Sequence, residues 1–253
     1  DGTGEATGAD DECDCPAGRY SATAGVTECT ACAVGTYTSS AGLTVCTAAQ
    51  GGYYASIGGA AANSAATGET QAVAGKYACR ASDSDGTGEA TGADDECDCP
   101  AGRYSATAGV TECTACAVGT YTSSAGLTVC TAAQGGYYAS IGGAAANSAA
   151  TGETQAVAGK YACRASDSDG TGEATGADDQ CDCPVGMYSA SAGLTVCTAA
   201  QAGYYASIDG GEAALAATGE TQAVAGKYAC RKNDNDGTGE ATGADDECDC
   251  PAG

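Results

Sequence analysis

The chain has 253 residues, with 18 Cys, 40 Gly and 14 Tyr but no Trp, Phe or His, and 33 acids against 9 bases give a net charge of −24. That balance excludes an electrostatic footprint for nucleic acid or an anionic membrane surface, and the lack of His removes the usual acid–base partner of an enzyme. Leu and Ile are rare, so one large core cannot form; dense cysteine is the covalent substitute in secreted proteins with small cores, which predicts an oxidising, extracellular setting.

Residues 1–84 recur without change as 85–168, a shorter third copy spans 169–235, and a fourth begins at 236 and stops at 253. We take these four stretches as the domains. The repeat phase predicts that the chain continues at both ends, and no signal peptide or segment long and apolar enough to span a bilayer is visible. Each long copy opens with two modules, CPAGRYSATAGVTEC (15–29) and CAVGTYTSSAGLTVC (32–46), which share C-x-x-G-x-Y-[ST] at the start and A-G-[VL]-T-x-C at the end. The third copy keeps one such module, Cys183 to Cys197, so its loss of a module removes an even number of cysteines.

Extending the register predicts a third module from Ala49. AQGGYYAS (49–56) has Ala in place of Cys, and ATGETQA (66–72) resembles AGVTEC with Ala72 in place of the second Cys. A fourth partial module, AVAGKYAC (72–79), follows. The stretches 58–68 and 210–219 are Ala-rich enough for a turn or two of helix, although flanking Gly weakens that expectation.

The spacing suggests which cysteines pair. Cys15–Cys29, Cys32–Cys46, Cys99–Cys113, Cys116–Cys130 and Cys183–Cys197 close modules. The constant separation of Cys79 from Cys97, Cys163 from Cys181 and Cys230 from Cys248 favours those three pairs, leaving Cys13 and Cys250 without partners in this stretch. A nested or ladder connectivity between neighbouring modules stays open. A disulfide closing a loop of this size stabilises by roughly 3 kcal/mol, so the remaining stability must come from stacking module on module. The expected fold is small, disulfide-rich, mainly β and loop with little helix: an elongated tandem-repeat rod of short stacked hairpin modules, with Gly in the turns and Tyr packed on the disulfides.

Between Cys79 and Cys97 lies the acidic segment RASDSDGTGEATGADDE. Its spacing resembles a twelve-residue EF-hand calcium loop, with Asp83, Asp85, Thr87, Glu89 (through its carbonyl), Thr91 and Asp94 at ligand positions and Gly88 at the bend. The same register gives Asp167, Asp169, Thr171, Glu173, Thr175 and Asp178, then Asp234, Asp236, Thr238, Glu240, Thr242 and Asp245. Position twelve is Asp rather than Glu, position eight is Ala, and flanking helices are missing. Carboxylates about 5 Å apart in water repel by roughly 0.8 kcal/mol per pair, so an ordered loop calls for a cation; Ca²⁺ in the weak extracellular class is the cofactor we expect. The bland alternative is a solvated acidic linker.

Zinc at the CxxC and CxC pairs is disfavoured by the absence of His and the oxidising setting, and a redox CxxC would need a βαβ context. GTGEATG (2–8) superficially matches a phosphate loop, but neighbouring carboxylates would repel phosphate. Thr36–Ser40 and Thr44–Thr47 offer hydroxyls for O-linked glycan.

The form C-P-x-G-x-Y-S-x-x-x-G-x-T-x-C-x-x-C, carried by Cys15, Pro16, Gly18, Tyr20, Ser21, Gly25, Thr27, Cys29 and Cys32 and their copies, resembles the ephrin-receptor-like cysteine-rich repeats. The resemblance implies an extended extracellular array, as in surface proteins and flagellar-hair components of protists and algae, and no particular activity. The expectation is therefore a non-enzymatic structural protein that self-associates into a cell-surface filament or fibre. A stalk, surface antigen or adhesin displaying a distal domain is the alternative, and a calcium-regulated receptor or accessory ectodomain the third.

Overall fold

The structure is a computed structural model, and it describes residues 2–4, 11–56, 65–140, 150–207, 217–232, 234 and 236–251. The chain divides into two compact units, one of residues 1–115 with 122–130 and the other of residues 116–121 with 131–253. Among the described residues the regular structure is all β: eleven separate two-stranded antiparallel sheets and no helix. Most of the two Ala-rich stretches considered for helix lies outside the described residues.

One local rule builds every hairpin. The motif C-x-x-G closes a four-residue turn: in the first module the N–H of Arg19 donates to the carbonyl of Pro16 at 3.0 Å, with Gly18 at φ +85°. A turn of this kind needs positive φ at its third residue, which only Gly adopts cheaply. The chain leaves the turn as a two-residue strand, Arg19–Tyr20, and returns as Thr30–Ala31. Tyr37 faces Thr47 and Tyr54 faces Thr70 in the same register. The modules that carry the acidic loops have longer strands, such as Lys76–Cys79 against Asp95–Asp98.

So short a hairpin cannot stand alone. In the first unit each module bonds to its successor through the backbone. The N–H of Gly18 donates to the Thr38 carbonyl at 3.0 Å, and the N–H of Gly42 donates back to the Cys15 carbonyl at 2.9 Å. Further along, the Gly75 N–H donates to Ser105 at 2.9 Å and the Gly109 N–H returns to Ala72 at 2.8 Å. The second unit repeats this exchange, Gly159 donating to Ser189 at 2.8 Å and Gly193 to Ala156 at 2.8 Å. This reciprocal pair of bonds is the stacking contact.

The staples follow the modules. Cys15–Cys29, Cys32–Cys46, Cys99–Cys113 and Cys183–Cys197 each span 14 residues, and Cys79–Cys97, Cys163–Cys181 and Cys230–Cys248 each span 18. Cys116 and Cys130 are disulfide-bonded as well. Cys13 and Cys250 are free and exposed.

Two kinds of miniature core result. One is sulfur and aromatic: Tyr77, Cys79, Cys99 and Cys113 are buried together, with Cys97 and Val110 against them, and Tyr161, Cys163, Cys183 and Cys197 form its copy. The other is made of alanine. Ala49, Ala55 and Ala66 are buried under Tyr37, and Ala72, Ala78 and Ala93 under Tyr54. In the shortened copy Met187 and Val196 stand where the second copy has Arg103 and Glu112, whose charged groups are 3.6 Å apart, and Met187 packs on the adjacent disulfide core.

The buried tyrosines set an alkaline limit. Tyr77 is fully buried, and its hydroxyl accepts the Gly86 N–H at 3.3 Å. Burial raises its phenol above the ordinary value; the Gly86 bond lowers it, and Asp85 and Asp83 raise it further. Tyr161 is raised for the same first reason. A neutral phenol held in the folded state leaves stability intact below the usual tyrosine value of about 10 and erodes it as pH rises through and beyond that value. In an ultraviolet titration, a fraction of the phenols should ionise only as the circular dichroism of the fold is lost. Complete ionisation with the fold unchanged would contradict this packing.

Candidate functional site

The acidic loops hold the strongest sequence-level ligand candidates, and their geometry is set by the hairpin that carries them. In the first loop Asp83 accepts the Arg80 N–H at 2.9 Å, while its own N–H donates to the Arg80 carbonyl at 2.9 Å. Asp94 accepts the Ala81 N–H at 3.1 Å and Asp85 the Thr87 N–H at 2.8 Å. Glu89 pairs with the Arg80 guanidinium at 2.9 Å, and Thr91 is exposed. The second loop repeats this: Asp167 accepts from Arg164 at 2.9 Å, Asp178 from Ala165 at 3.0 Å and Asp169 from Thr171 at 2.8 Å, and Glu173 pairs with Arg164 at 2.9 Å. Thr175 matches Thr91.

In the third loop Asp245 accepts the Lys232 N–H at 2.7 Å, Glu240 lies 3.5 Å from Arg231, and Asp234 accepts the Asp236 N–H at 3.3 Å. Asp236 takes both the hydroxyl and the N–H of Thr238, at 2.5 and 2.7 Å, and these bonds, the hydroxyl first, hold its carboxyl below the ordinary value. Thr242 bridges to Gln201 through its backbone. The carboxylates thus mostly serve as acceptors for local N–H groups, the job Asp performs in tight turns. Among the described residues no group of three or more His, Cys, Asp or Glu side chains is placed to share a metal ion.

The loop's backbone has a different role, which the sequence did not suggest. It docks on both neighbouring modules. Toward the preceding one, the Gly92 N–H donates to Ala49 at 2.7 Å and the Ala55 N–H to Ala93 at 2.9 Å. Toward the following one, the Gly88 N–H donates to Thr111 at 2.7 Å and the Cys113 N–H to Gly86 at 2.8 Å. Within the second unit, Gly176, Ala139, Gly172 and Cys197 make the equivalent four bonds. Each such loop is a bracket that ties three successive modules together.

A second site emerges in the module that lacks cysteine. Alignment by Ala-for-Cys places Ala72 at its closing position, but strand register corrects this. Thr70 pairs with Tyr54 as Thr30 pairs with Tyr20, so Glu69 holds the place of Cys29 and Ala72 that of Cys32. The Glu69 carboxylate accepts the Gln50 backbone N–H at 2.8 Å and the Gln50 side-chain amide at 2.6 Å. Glu153 does the same to Gln134, and Glu220 to Gln201, with every bond at 2.8 Å. A two-pronged carboxylate clamp stands where the other modules have a disulfide.

The acidic-loop modules carry a one-pronged version, in which Glu96 accepts the Val73 N–H at 3.3 Å and Gln180 the Val157 N–H at 3.1 Å. The sequence did hold the signal: C-T-A-C (29–32), E-T-Q-A (69–72) and E-C-D-C (96–99) align on their strand positions. Replacing Glu69 by alanine should lower stability in urea unfolding of the oxidised chain by about 1–2 kcal/mol, the worth of partly solvated bonds to a charged acceptor. Glu69→Gln should lose less, since Gln180 keeps one such bond. No change in either variant would show the clamp to be ornamental.

The glycan candidates are partly engaged. The Thr36 hydroxyl donates to Ala33 at 2.7 Å and Thr38 is buried, whereas Thr44 and Thr47 are exposed. No protein-family profile matches this chain, and no curated protein matches it either.

Proposed function

We propose that this chain is an extracellular structural repeat protein that forms or coats a cell-surface filament or fibre, and that it performs no catalysis. The observation that carries the proposal is the recurrence of one stacking contact, the reciprocal Gly N–H to carbonyl pair, in the same register at several module steps, carried by Gly18 with Gly42, Gly75 with Gly109, Gly102 with Gly126, and Gly159 with Gly193. Near-identical copies that make the same contacts repeat the same surface along the chain, which favours assembly of like with like. The disulfides support an oxidising compartment as its setting. No helix among the described residues is long and apolar enough to cross a membrane. The resemblance to ephrin-receptor-like repeats supports the same extracellular reading.

Calcium in the acidic loops belongs to this proposal as a stiffening ion. What supports it is charge: six carboxylates between residues 83 and 96 face two nearby cations, Arg80 on Glu89 and Lys76 on Glu96. An ion would have to draw Asp83 and Asp94 from the backbone N–H groups they now accept. Electron microscopy of the native material, with and without EGTA, tests both parts. Fibres that loosen on chelation are expected; fibres indifferent to EGTA would remove the ion from the account, and isolated threads in both conditions would replace the filament with a stalk or surface antigen.

A further inference from the structure

We propose that two molecules of this chain join through a seam that the chain already uses within itself, the acidic-loop module of residues 223–249 in one molecule seating on the module of residues 15–29 in another. This rests on the self-association reading above and gives it a specific contact. The seam occurs twice internally, once within each unit. Between residues 72–98 and 99–113 it has five backbone bonds: the four made by Gly75, Gly109, Gly88 and Cys113 described above, and the Ala78 N–H donating to Val110 at 3.1 Å. The second occurrence makes the same five, with the Ala162 N–H donating to Leu194 at 3.0 Å in the last place. Side chains close with the backbone. Tyr77 and Tyr161 are fully buried, and Val110 packs on the core around Tyr77.

Two halves of this seam stand open. Tyr228, which repeats Tyr77, is only half-buried, and Val26, which repeats Val110, is 45% exposed. The N–H groups of Gly226, Gly239 and Gly25 repeat three donors of the seam and have no partner among the described residues. A Cβ on Gly109 would meet the Gln71 side chain at 2.5 Å, whereas one on Gly25 meets nothing within 4 Å. Each half presents what the other lacks: the Gly226 N–H matches the Ser21 carbonyl, the Gly25 N–H matches that of Ala223, and Tyr228 finds its cover in Val26. Burial of that apolar surface drives the contact, and the backbone bonds fix its register.

Part of the seat is already filled by the chain's own residues 2–4. The Gly4 N–H donates to Thr27 at 2.7 Å and the Cys29 N–H to Gly2 at 2.9 Å, as Gly88 does to Thr111 and Cys113 to Gly86. These residues are exchangeable, because 236–253 repeat 1–18 without change, so an incoming loop brings Gly237 and Gly239 to the same places. A segment that makes two of the five bonds yields to a module that makes all five. Exchange between Asp249 of one molecule and Cys15 of the other keeps Cys230–Cys248 and Cys15–Cys29 intact. It releases only the stretches that carry Cys13 and Cys250, the cysteines in no disulfide. Because the two faces differ, the contact is heterologous and molecules add one after another.

The test is sedimentation velocity of the oxidised chain over a concentration series, with the two free thiols alkylated so that disulfides between molecules play no part. The mean mass should climb with concentration through dimer and trimer. Val26→Asp should weaken association roughly tenfold or more, since the seam would bury an unpaired carboxylate, and should leave the circular dichroism of the monomer unchanged because Val26 is exposed. Val129→Asp, at a valine 68% exposed and in neither half of the seam, should associate as the unchanged chain does. A chain that stays monomeric at every concentration, or a Val26→Asp variant that associates undiminished, would overturn the proposal. Either result leaves lateral packing into fibres to its own test by microscopy.

Discussion

Alanine in place of Gly35 is expected to lower the stability of its unit by about 3 kcal/mol, one of the largest losses for a single small substitution in this chain. Two effects combine. Gly35 sits at φ +77°, where an L side chain is strained by about 1 kcal/mol. In addition, a Cβ there would run into the backbone carbonyl of Gly92, in the acidic loop that brackets this module. The carbonyl cannot retreat freely, because the Gly92 N–H is bonded to Ala49 at 2.7 Å. Two controls separate the terms. Gly25 has φ +75° with nothing within 4 Å of a new Cβ, so alanine there should cost only the backbone strain. Gly68 has neither the positive φ nor a neighbour, so alanine should be nearly neutral. Denaturant unfolding of the three variants should rank them in that order; equal losses at Gly35 and Gly25 would deny the backbone-on-backbone contact.

Removing Cys99 and Cys113 together, both to alanine, is expected to cost about 3–5 kcal/mol. Loop closure accounts for most of it. The rest comes from the site, because both cysteines are essentially unexposed and pack with Tyr77 and Cys79. The pair Cys32 and Cys46 closes a loop of the same length, but Cys46 is half-buried, so its removal should cost less, near 3 kcal/mol. Calorimetry of the two double variants gives the comparison, and a larger loss at Cys32–Cys46 would contradict the core assignment.

Much of the fold was legible in the sequence, because turn chemistry and repetition are local. The Gly of C-x-x-G needs positive φ, the Tyr two residues later half-buries its ring, as Tyr37 does over an alanine core, and a small hydrophobic inventory demands staples. These facts, carried along the repeat, give stacked hairpins with little helix. Less was legible at the candidate sites. Glu69 was overlooked because cysteine was compared with its commonest small substitute, whereas strand register, fixed by the Tyr54–Thr70 pair, decides which residue stands opposite the turn. The acidic loops were read through their carboxylate spacing. Their backbone contacts with Ala49, Ala55 and Thr111 depend on where modules before and after them lie, and no spacing within the loop encodes that. The alanine cores were hidden for a related reason: Ala93 is fully buried although its neighbours in sequence are mostly polar.

The claim beneath all of this is that each module closes on itself. Disulfide mapping of the chain, cleaved under non-reducing conditions that suppress exchange, tests it most directly. The account predicts linked peptides of the Cys15–Cys29, Cys32–Cys46 and Cys79–Cys97 types, and none joining one module to the next. Linked peptides that join neighbouring modules in a ladder, such as Cys15 with Cys32 and Cys29 with Cys46, would contradict it, since the turns and the clamps presuppose modules closed one by one.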